Sequence, residues 1–282
     1  MRDPALLDLY HLGLERVVGA YLIDTPDGPA LFDCGPARTI DGLRTGLAAH
    51  DLEIGDLRHL LLSHIHFDHA GAAGLLVQEN PSLTVHVSEI GAPHLIDPSR
   101  LEQSARRIFL DDFDRLWGAL VPIPESNISI VGDRVLDLEC FPTPGHASHH
   151  VCYLRDGVLY TGDAAGVRIA PSERVMPPTP PPDLDVEAWD ATLDEIGRRA
   201  PERLACIHFG IFDDVARQLT EVRERLHAHV DLVGRGATEA EFLAYAAAEV
   251  GDGNPAYDKA FPPQQDYQGL ARYWSKRREA AA

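Results

Sequence analysis

The chain has 282 residues, 45% of them hydrophobic and 24% charged, which is the composition of a folded globular protein rather than of a disordered one. Its formal net charge of −19 repels polyanions, so we expect no nucleic-acid partner. No apolar run is long enough to span a membrane and the first residues lack the pattern of a signal peptide, so we expect a cytoplasmic protein with no membrane contact.

Short β-rich runs and helical runs alternate along the chain, with Gly and Pro between them. The predicted strands lie near residues 16–23, 29–34, 57–63, 83–87, 127–131, 134–141, 149–154, 157–162 and 203–208. The clearest helices are predicted near residues 70–79, 99–118, 185–199, 213–230 and 238–250. The last helix begins with Thr238 and Glu241 at the spacing of a capping box. This mixture is typical of a layered α/β protein.

The order of these elements leaves two layouts open. A strand-rich set before about residue 120 is followed by a similar set that ends in helices. Two sheets packed face to face with helices outside would bury both sets, and a single doubly wound sheet is the alternative. Because no segment has the composition of a linker, we expect one domain over residues 1–282. Within it, residues 95–120 are predicted as an inserted helical segment and residues 231–282 as a helical C-terminal extension.

Side chains that can bind metal follow four of the predicted strands. The stretch 63–74, SHIHFDHAGAAG, comes directly after one strand and holds three histidines and an aspartate within six positions. His146, Asp163 and His208 follow three further strands. Loops at strand ends are where a rigid sheet holds functional side chains. Because imidazole nitrogen and carboxylate oxygen together suit zinc and its first-row neighbours, we expect a metal site.

The spacing within the stretch 63–74 predicts two groups of ligands. If the chain leaves the strand still extended, His64 and His66 point the same way, because side chains repeat every two residues. Asp68 and His69 turn to another side as the helix HAGAAG begins. We therefore expect the two pairs to face two points.

Four segments of this chain, HIHFDHAG, TPGHASHH, YTGDAAG and CIHFG, occur in this order between residues 64 and 210. Together they resemble the metallo-β-lactamase superfamily of hydrolases, whose signature is H-x-H-x-D-H followed by a single His, an Asp and a final His. The resemblance covers about residues 16–210. It implies the α/β fold of a four-layer αββα sandwich, and so favours the layout with two sheets.

The resemblance also implies a role for each matching residue. The ligands of a first metal ion would be His64, His66 and His146. The ligands of a second metal ion would be Asp68, His69 and His208. Asp163 would bridge the two ions, and Asp33 in LFDCGP would brace the ligand loop through hydrogen bonds.

The function that the resemblance implies is hydrolysis with two divalent metal ions per chain. Zn²⁺ is the first expectation, and Mn²⁺, Fe²⁺ and Co²⁺ accept the same ligands. Such ions lower the pKa of a bridging water, so that a hydroxide can attack a small ester, lactone, thioester or phosphoester. Asp68 is the candidate catalytic residue, because it can orient the nucleophile and carry its proton to the leaving group.

Two other functions stay open. One is a persulfide dioxygenase, which binds a single iron ion through two histidines and an aspartate; the complete second ligand set, above all His208, argues against it. The other is a catalytically silent metal-binding member of the same fold. A true β-lactamase is not expected, because a periplasmic role requires the export signal that the first residues lack.

Candidate residues for the substrate pocket come from several parts of the chain. The segment 101–121 carries aromatic side chains at helical spacing, namely Phe109, Phe113 and Trp117. This stripe either faces the core or forms an apolar wall together with the Pro-rich loop 171–183, which contains Met176. Tyr21 and His149 are further candidates, for which ordinary strand packing is the alternative.

The remaining polar residues are assigned more simply. The four cysteines are expected to be reduced and buried, because none forms a C-x-x-C pair. Seven of the nine histidines outside the ligand set are expected to be surface or satisfied core residues, and they are His11, His50, His59, His86, His94, His227 and His229. The other two, His149 and His150, could reach a ligand or the substrate, and a structural role at the start of a strand is the favoured alternative. The basic tail is interpreted as a solvated helix end, with a clasp for an anionic thioester as the alternative. We expect a small-molecule substrate as partner, and assembly into a homo-oligomer is left open.

Overall fold

The structure is a computed structural model of the chain and describes residues 4–170, 172–251, 255–260 and 262–280. Pro171 of the predicted loop therefore lies outside the described residues, as do 252–254, 261 and 281–282 of the predicted C-terminal extension. In the described part, twelve strands form two six-stranded sheets.

The first sheet contains the N-terminal strands in the order in which they occur along the chain. Its first three strands pair antiparallel, and the third to the sixth pair parallel. Its central strands are buried on both faces, which explains their continuous apolar runs. The strands are β1 (Ala5–Asp8), β2 (Gly19–Thr25), β3 (Gly28–Phe32), β4 (His59–Leu61), β5 (Thr84–Val87) and β6 (Ile128–Ile130).

The second sheet contains the later strands in the order β12-β11-β10-β9-β8-β7. Among the described strands of this sheet, β10 and β11 alone pair parallel, and a helix connects them. The strands are β7 (Arg134–Val135), β8 (Leu138–Pro142), β9 (Val151–Arg155), β10 (Val158–Tyr160), β11 (Arg203–Cys206) and β12 (Gly210–Phe212). The prediction of an α/β fold with two sheets is thus confirmed, and the single doubly wound sheet is wrong.

Helices flank the two sheets and continue beyond the second one. The longest helices of the C-terminal part, α8, α9 and α11, pack on one another through a core that includes Val222, Phe242 and Leu270. The helices are α1 (Ile40–Ala48), α2 (Phe67–Ala70), α3 (Ala73–Glu79), α4 (Ala92–Ile96), α5 (Ser99–Phe109), α6 (Phe113–Leu116), α7 (Val186–Arg199), α8 (Val215–Gly234), α9 (Glu239–Val250), α10 (Pro255–Ala260) and α11 (Pro263–Ala280).

Several predicted boundaries differ from the structure. The helix predicted over 99–118 is broken, because Leu110 has a φ of 49° in the left-handed region that a helix does not tolerate. The strands β1 and β12 were not predicted, since both are short edge strands without a readable alternation. The capping box at the start of α9 is confirmed: Thr238 N donates to Glu241 Oε2 at 2.8 Å, and Glu241 N donates to Thr238 Oγ1 at 3.3 Å.

Hydrogen bonds between the two sheets hold together the strand ends that carry the candidate ligands. Val151 N donates to Ser63 O at 2.8 Å, and the hydroxyl of Tyr153 donates to Leu62 O at 2.9 Å. The β4 loop is thereby tied to β9 of the other sheet. The four cysteines are free and buried, as predicted. Among the described residues, no helix combines the length and the apolar character that crossing a membrane requires.

Candidate metal centre

Three histidine nitrogens meet at one point where the two sheets end. His66 Nδ1 lies 2.9 Å from both His64 Nε2 and His146 Nε2, and these two atoms lie 3.3 Å apart. His64 follows β4, and His146 lies in the loop between β8 and β9. Ligands of a tetrahedral zinc ion with bonds of about 2.0 Å lie about 3.3 Å apart, which is close to this spacing.

A second point is surrounded by Asp68, His69 and His208. Asp68 Oδ2 lies 3.4 Å from His208 Nε2 and 3.8 Å from His69 Nε2. Asp68 and His69 lie on the single turn of α2, so their side chains leave the loop in a different direction from His64 and His66. The structure therefore brings together two clusters, as the spacing of the stretch 63–74 predicts.

Asp163 lies between the two clusters and contacts both. Its Oδ2 lies 3.3 Å from His146 Nε2 in the first cluster. Its Oδ1 lies 3.5 Å from His69 Nε2 and 3.7 Å from His208 Nε2 in the second. The carboxylate thus presents one oxygen to each cluster, which is the arrangement of a bridging ligand.

The side chains of both clusters fit divalent metal ions. His69 Nε2 and Asp163 Oδ1 are buried and have no hydrogen-bond partner among the described residues. Buried polar atoms normally have a partner, so two orphaned atoms 3.5 Å apart indicate a missing one. A cation between them would satisfy both, and nitrogen and oxygen donors in this mixture suit first-row divalent ions.

The electrostatics of the clusters also favour a cation. Burial lowers the pKa of His64 and of His66 well below the ordinary value, so both imidazoles are neutral. Burial raises the pKa of Asp68, but His69 and His208 outweigh this effect and hold it at about 2. Burial likewise raises the pKa of Asp163, and His69 and His146 lower it well below the ordinary range. The neutral imidazoles of the first cluster are therefore ready to bind metal without first losing a proton. Burial lowers the pKa of His69 and of His208, but the carboxylates of Asp68 and Asp163 outweigh it and raise both, so metal binding at the second cluster displaces protons from these two histidines.

Comparison with known proteins agrees with this geometry. Residues 14–208 match the sequence model of the metallo-beta-lactamase superfamily. The chain belongs to this superfamily. The match contains the six residues of the two clusters as well as Asp163, and it ends at His208. The α-helical part from α8 onward lies beyond it.

Three relatives within the superfamily are informative. The metallo-beta-lactamase fold-containing protein ST1585 of Sulfurisphaera tokodaii is 27% identical over 235 residues, which are 74% of this chain and 87% of that protein. Its crystal structure superimposes with a TM-score of 0.71 at 21% identity, covering 96% of this chain and 98% of that one. Two further relatives have names that specify a reaction, and each match covers only about a third of that relative's own length. They are the thioesterase pkgB of Emericella nidulans (29% identical, 55% of this chain, 38% of that protein) and a hydroxyacylglutathione hydrolase of Salmonella paratyphi A (28%, 37% and 32%).

Four of the histidines in this superfamily signature are held through the ring nitrogen that faces away from the clusters. In each case Nδ1 donates to an oxygen, so Nε2 is the ring nitrogen that faces the cluster and is left to bind metal. The pairs are His64 with Ser63 Oγ (3.0 Å), His69 with Asp33 Oδ2 (2.8 Å), His146 with Pro178 O (2.9 Å) and His208 with Val17 O (2.5 Å).

Asp33 braces the ligand loop in the way that the resemblance implies. It follows β3 at a φ of 54° and is fully buried. Its Oδ1 accepts from Ser63 N at 2.8 Å, and its Oδ2 accepts from Ser63 Oγ at 2.8 Å as well as from His69. One carboxylate thus fixes both the start of the loop and the orientation of a histidine.

Asp163 is positioned by a histidine outside the signature. Its backbone N–H donates to His150 Nε2 at 3.2 Å, and His150 Nδ1 donates in turn to Thr143 Oγ1 at 2.7 Å. The preceding residue, Gly162, has a φ of 48°, and a Cβ there would lie 2.6 Å from His150 Nε2 and from Ser63 Oγ. The role of His150 is therefore structural, and only glycine fits at position 162.

An open cavity of about 350 Å³ leads to the two clusters. One wall is the face of α5 that carries Leu101, Ala105, Ile108 and Phe109. The opposite wall is the Pro-rich loop at 180–182, and the base carries the candidate ligands. The inserted segment and the Pro-rich loop thus both border the approach to the metal centre, in line with the second of the two interpretations of this segment.

The structure separates the predicted pocket residues into two groups. Phe109, Trp117 and His149 line the cavity. The other three, Tyr21, Phe113 and Met176, are buried core residues, so the prediction that they line the pocket is corrected. The hydroxyl of Tyr21 donates to Cys206 O at 3.0 Å, and the ring of Phe113 packs against that of Phe67. Met176 pairs through its backbone with Val167. Apolar character in the sequence could not tell a residue that lines the cavity from one in the core, because the packing of the folded chain decides which side chains are covered.

Several residues near the centre were not predicted. Phe67, Arg100 and Asp266 line the cavity, and so does His94, which was expected to be a surface or satisfied core residue. His11 is buried, stacks on Trp117 at 5.7 Å, and neither of its ring nitrogens has a partner among the described residues. Burial lowers the pKa of His11 to about 4. Of these five residues, Phe67 alone could have been found from the sequence, because it lies inside the signature H-x-H-x-D-H.

Proposed function

We propose that this chain is a dinuclear metal-dependent hydrolase that acts on a small apolar ester, lactone or thioester. The observation that carries the proposal is the pair of clusters that share Asp163 at the base of an apolar cavity. Two relatives are named for hydrolysis, one of them for the hydrolysis of thioesters, which supports the same class of reaction. A phosphoester is the less favoured substrate, because the cavity walls formed by Leu101, Ile108, Phe109 and the prolines at 180–182 suit an apolar acyl group better than a charged phosphate.

Each cluster would hold one ion. The first ion would be bound by His64 Nε2, His66 Nδ1 and His146 Nε2, and the second by Asp68, His69 and His208, with one oxygen of Asp163 on each. Divalent ions bound there would act as Lewis acids that activate water and polarise the scissile carbonyl group. Zn²⁺ is our first candidate for both ions.

The protein residues would prepare the site and handle the proton. Asp33 and the backbone carbonyls of Pro178 and Val17 hold three imidazoles by Nδ1 with Nε2 directed at the clusters, so the rings need no reorientation when substrate arrives. Asp68 lines the cavity and is ionised, so it can accept the proton of the attacking water and return it to the leaving group. The apolar walls bind the acyl group and exclude bulk water.

We expect protein purified without chelators and without an affinity tag to contain two divalent ions per chain by elemental mass spectrometry. Removal of the ions should abolish hydrolysis of aryl esters, lactones and acyl thioesters, and Zn²⁺ or Mn²⁺ should restore it. The control is the thermal unfolding temperature of the metal-free protein, which shows that the chain is still folded. One iron ion per chain, together with oxygen consumption on a persulfide, would instead support the dioxygenase alternative and contradict the proposal.

We expect the variant Phe109→Ala to weaken binding of apolar substrates. Loss of the phenyl ring from the cavity wall should raise KM for a hexanoyl ester roughly tenfold and leave kcat nearly unchanged, since the ring contacts the substrate equally in ground and transition states. The matched control is Leu110→Ala, because Leu110 is the next residue, is 69% exposed and does not line the cavity. An unchanged KM in Phe109→Ala would show that the substrate does not occupy this wall.

A further inference from the structure

The cavity contains a buried carboxyl group that the proposed reaction does not use. Asp266 lies on α11, outside the part of the chain that matches the superfamily, and its side chain lines the same cavity as Asp68 and Asp163. It is only 3% exposed. A carboxyl group in such a place is costly unless it is hydrogen-bonded, so its presence requires a reason.

One oxygen of Asp266 has a structural partner and the other does not. Oδ1 accepts from Thr179 N at 2.6 Å and from Thr179 Oγ1 at 3.3 Å. Oδ2 forms no hydrogen bond with any described residue. Unlike His69 Nε2 or Asp163 Oδ1, it keeps some exposed area, so a molecule in the cavity can reach it. Holding the Pro-rich loop requires only the first oxygen, and the second is left for a group inside the cavity.

The position of this carboxyl group is fixed by close backbone packing. One turn further along α11, a Cβ on Gly269 would lie 1.9 Å from Thr179 O, so the helix and the loop are in direct contact there. Thr179 also follows Pro178, whose carbonyl oxygen holds His146. Asp266 is thus held at a constant distance from the metal centre, which is what recognition of a substrate group requires.

The protonation of Asp266 suits a hydrogen bond to a neutral oxygen. Burial raises the pKa of the carboxyl group to about 8, and the nearby charge of Asp163 adds to this effect. In its protonated form the carboxyl group can donate a hydrogen bond from the side that Thr179 does not occupy. An acyl group that carries a hydroxyl or carbonyl oxygen near the scissile bond offers such an acceptor.

We propose that the free side of the Asp266 carboxyl group binds a hydroxyl or carbonyl oxygen on the acyl part of the substrate. Asp266 is then a specificity-determining residue that selects oxygen-bearing acyl groups over plain hydrocarbon ones. A site built to bind an oxygen rejects the analogue without it, because the polar group is left unpaired in an apolar cavity. This inference rests on the proposed function, since it assumes that the cavity holds the acyl group.

Equilibrium binding tests the inference without requiring turnover. The probes are hexanoate, 2-hydroxyhexanoate, 3-hydroxyhexanoate and 3-oxohexanoate, measured by calorimetry on the protein with its metal ions. We expect at least one oxygen-bearing acid to bind roughly ten times more tightly than hexanoate to the wild-type protein. The same ratio is expected for Asp266→Asn, whose amide can accept from Thr179 N and donate into the cavity.

Variants without the polar group should lose the preference. In Asp266→Leu the binding ratio should fall to about one, and Asp266→Ala serves the same purpose if the leucine variant does not fold. The matched control is Thr179→Val, which removes a hydroxyl contact between loop and helix but keeps the carboxyl group. It should keep the wild-type ratio.

Two results would overturn the inference. One is a ratio near one in the wild-type protein for all three oxygen-bearing acids. The other is an equal loss of the ratio in Thr179→Val and Asp266→Leu, which would show that Asp266 only holds the loop. Hydrolysis of the corresponding thioesters is measured separately, so failure of the proposed function is visible as absent turnover in a protein that still binds and discriminates between the acids.

Discussion

Replacement of Asp163 by alanine is expected to lower kcat/KM by roughly a thousandfold or more and to reduce the metal content of both clusters. The reason is that Asp163 presents Oδ2 to His146 and Oδ1 to His69 and His208, so one substitution removes an oxygen from each cluster. The loss should also leave the clustered imidazoles without the carboxylate that draws a cation to them.

Elemental mass spectrometry and hydrolysis of a thioester, measured on the same sample of Asp163→Ala, check this expectation. The matched control is Asp183→Ala, because Asp183 lines the same cavity but belongs to neither cluster and accepts a hydrogen bond from Ser148 at 2.8 Å. The control should keep its metal. Full metal content in Asp163→Ala would contradict the assignment of Asp163 as the bridging ligand.

The variant Asp33→Ala is expected to lower the free energy of unfolding by about 3–5 kcal/mol, since it removes one partner of a buried, charged hydrogen-bond network. Ser63 N, Ser63 Oγ and His69 Nδ1 would all lose an acceptor in a place that water does not reach. Without that acceptor, the proton of His69 is no longer held on Nδ1. Metal affinity at the second cluster should therefore fall about 10- to 100-fold.

Urea unfolding of the metal-free protein measures the first effect, and titration of the folded variant with Zn²⁺ measures the second. Asp33→Asn is the conservative comparison, because its amide oxygen can still accept from Ser63 N while its NH₂ group cannot accept from His69. We expect it to recover stability more than metal affinity. Wild-type metal affinity in a folded Asp33→Ala protein would show that the brace does not orient His69.

The candidate ligands could be located from the sequence because their signal is local. His64 follows β4 of the first sheet, whereas Asp163 and His208 follow the neighbouring parallel strands β10 and β11 of the second. Loops at strand ends are where functional side chains are held, and here the loops of the two sheets meet. The two pairs in the stretch 63–74 were separable by spacing alone, since an extended segment and a helical turn point side chains in different directions. Asp33 was found only through the resemblance to the superfamily, because a lone aspartate after a strand has no distinctive pattern.

The residues that line the cavity walls could not be predicted from local sequence patterns. Phe109 and Phe113 both belong to the same aromatic stripe, yet one lines the cavity and the other is covered by Phe67, because the chain turns at Leu110 and changes the face that is exposed. Tyr21 had the chemistry of an oxyanion donor, but its hydroxyl is used between the sheets. Which side of an apolar residue is covered depends on its neighbours in space.

The sequence by itself determined the superfamily, the two-sheet fold and the set of candidate metal ligands, since strand ends, spacing and the order of the motifs carry that information along the chain. Only the tertiary structure decided which groups support the metal centre and which residues line the substrate cavity. Pro178 O on His146, Val17 O on His208 and Asp266 in the cavity are separated from their partners by long stretches of chain. They meet because loops and α11 pack against the sheets, and packing leaves no periodic or local pattern in the sequence.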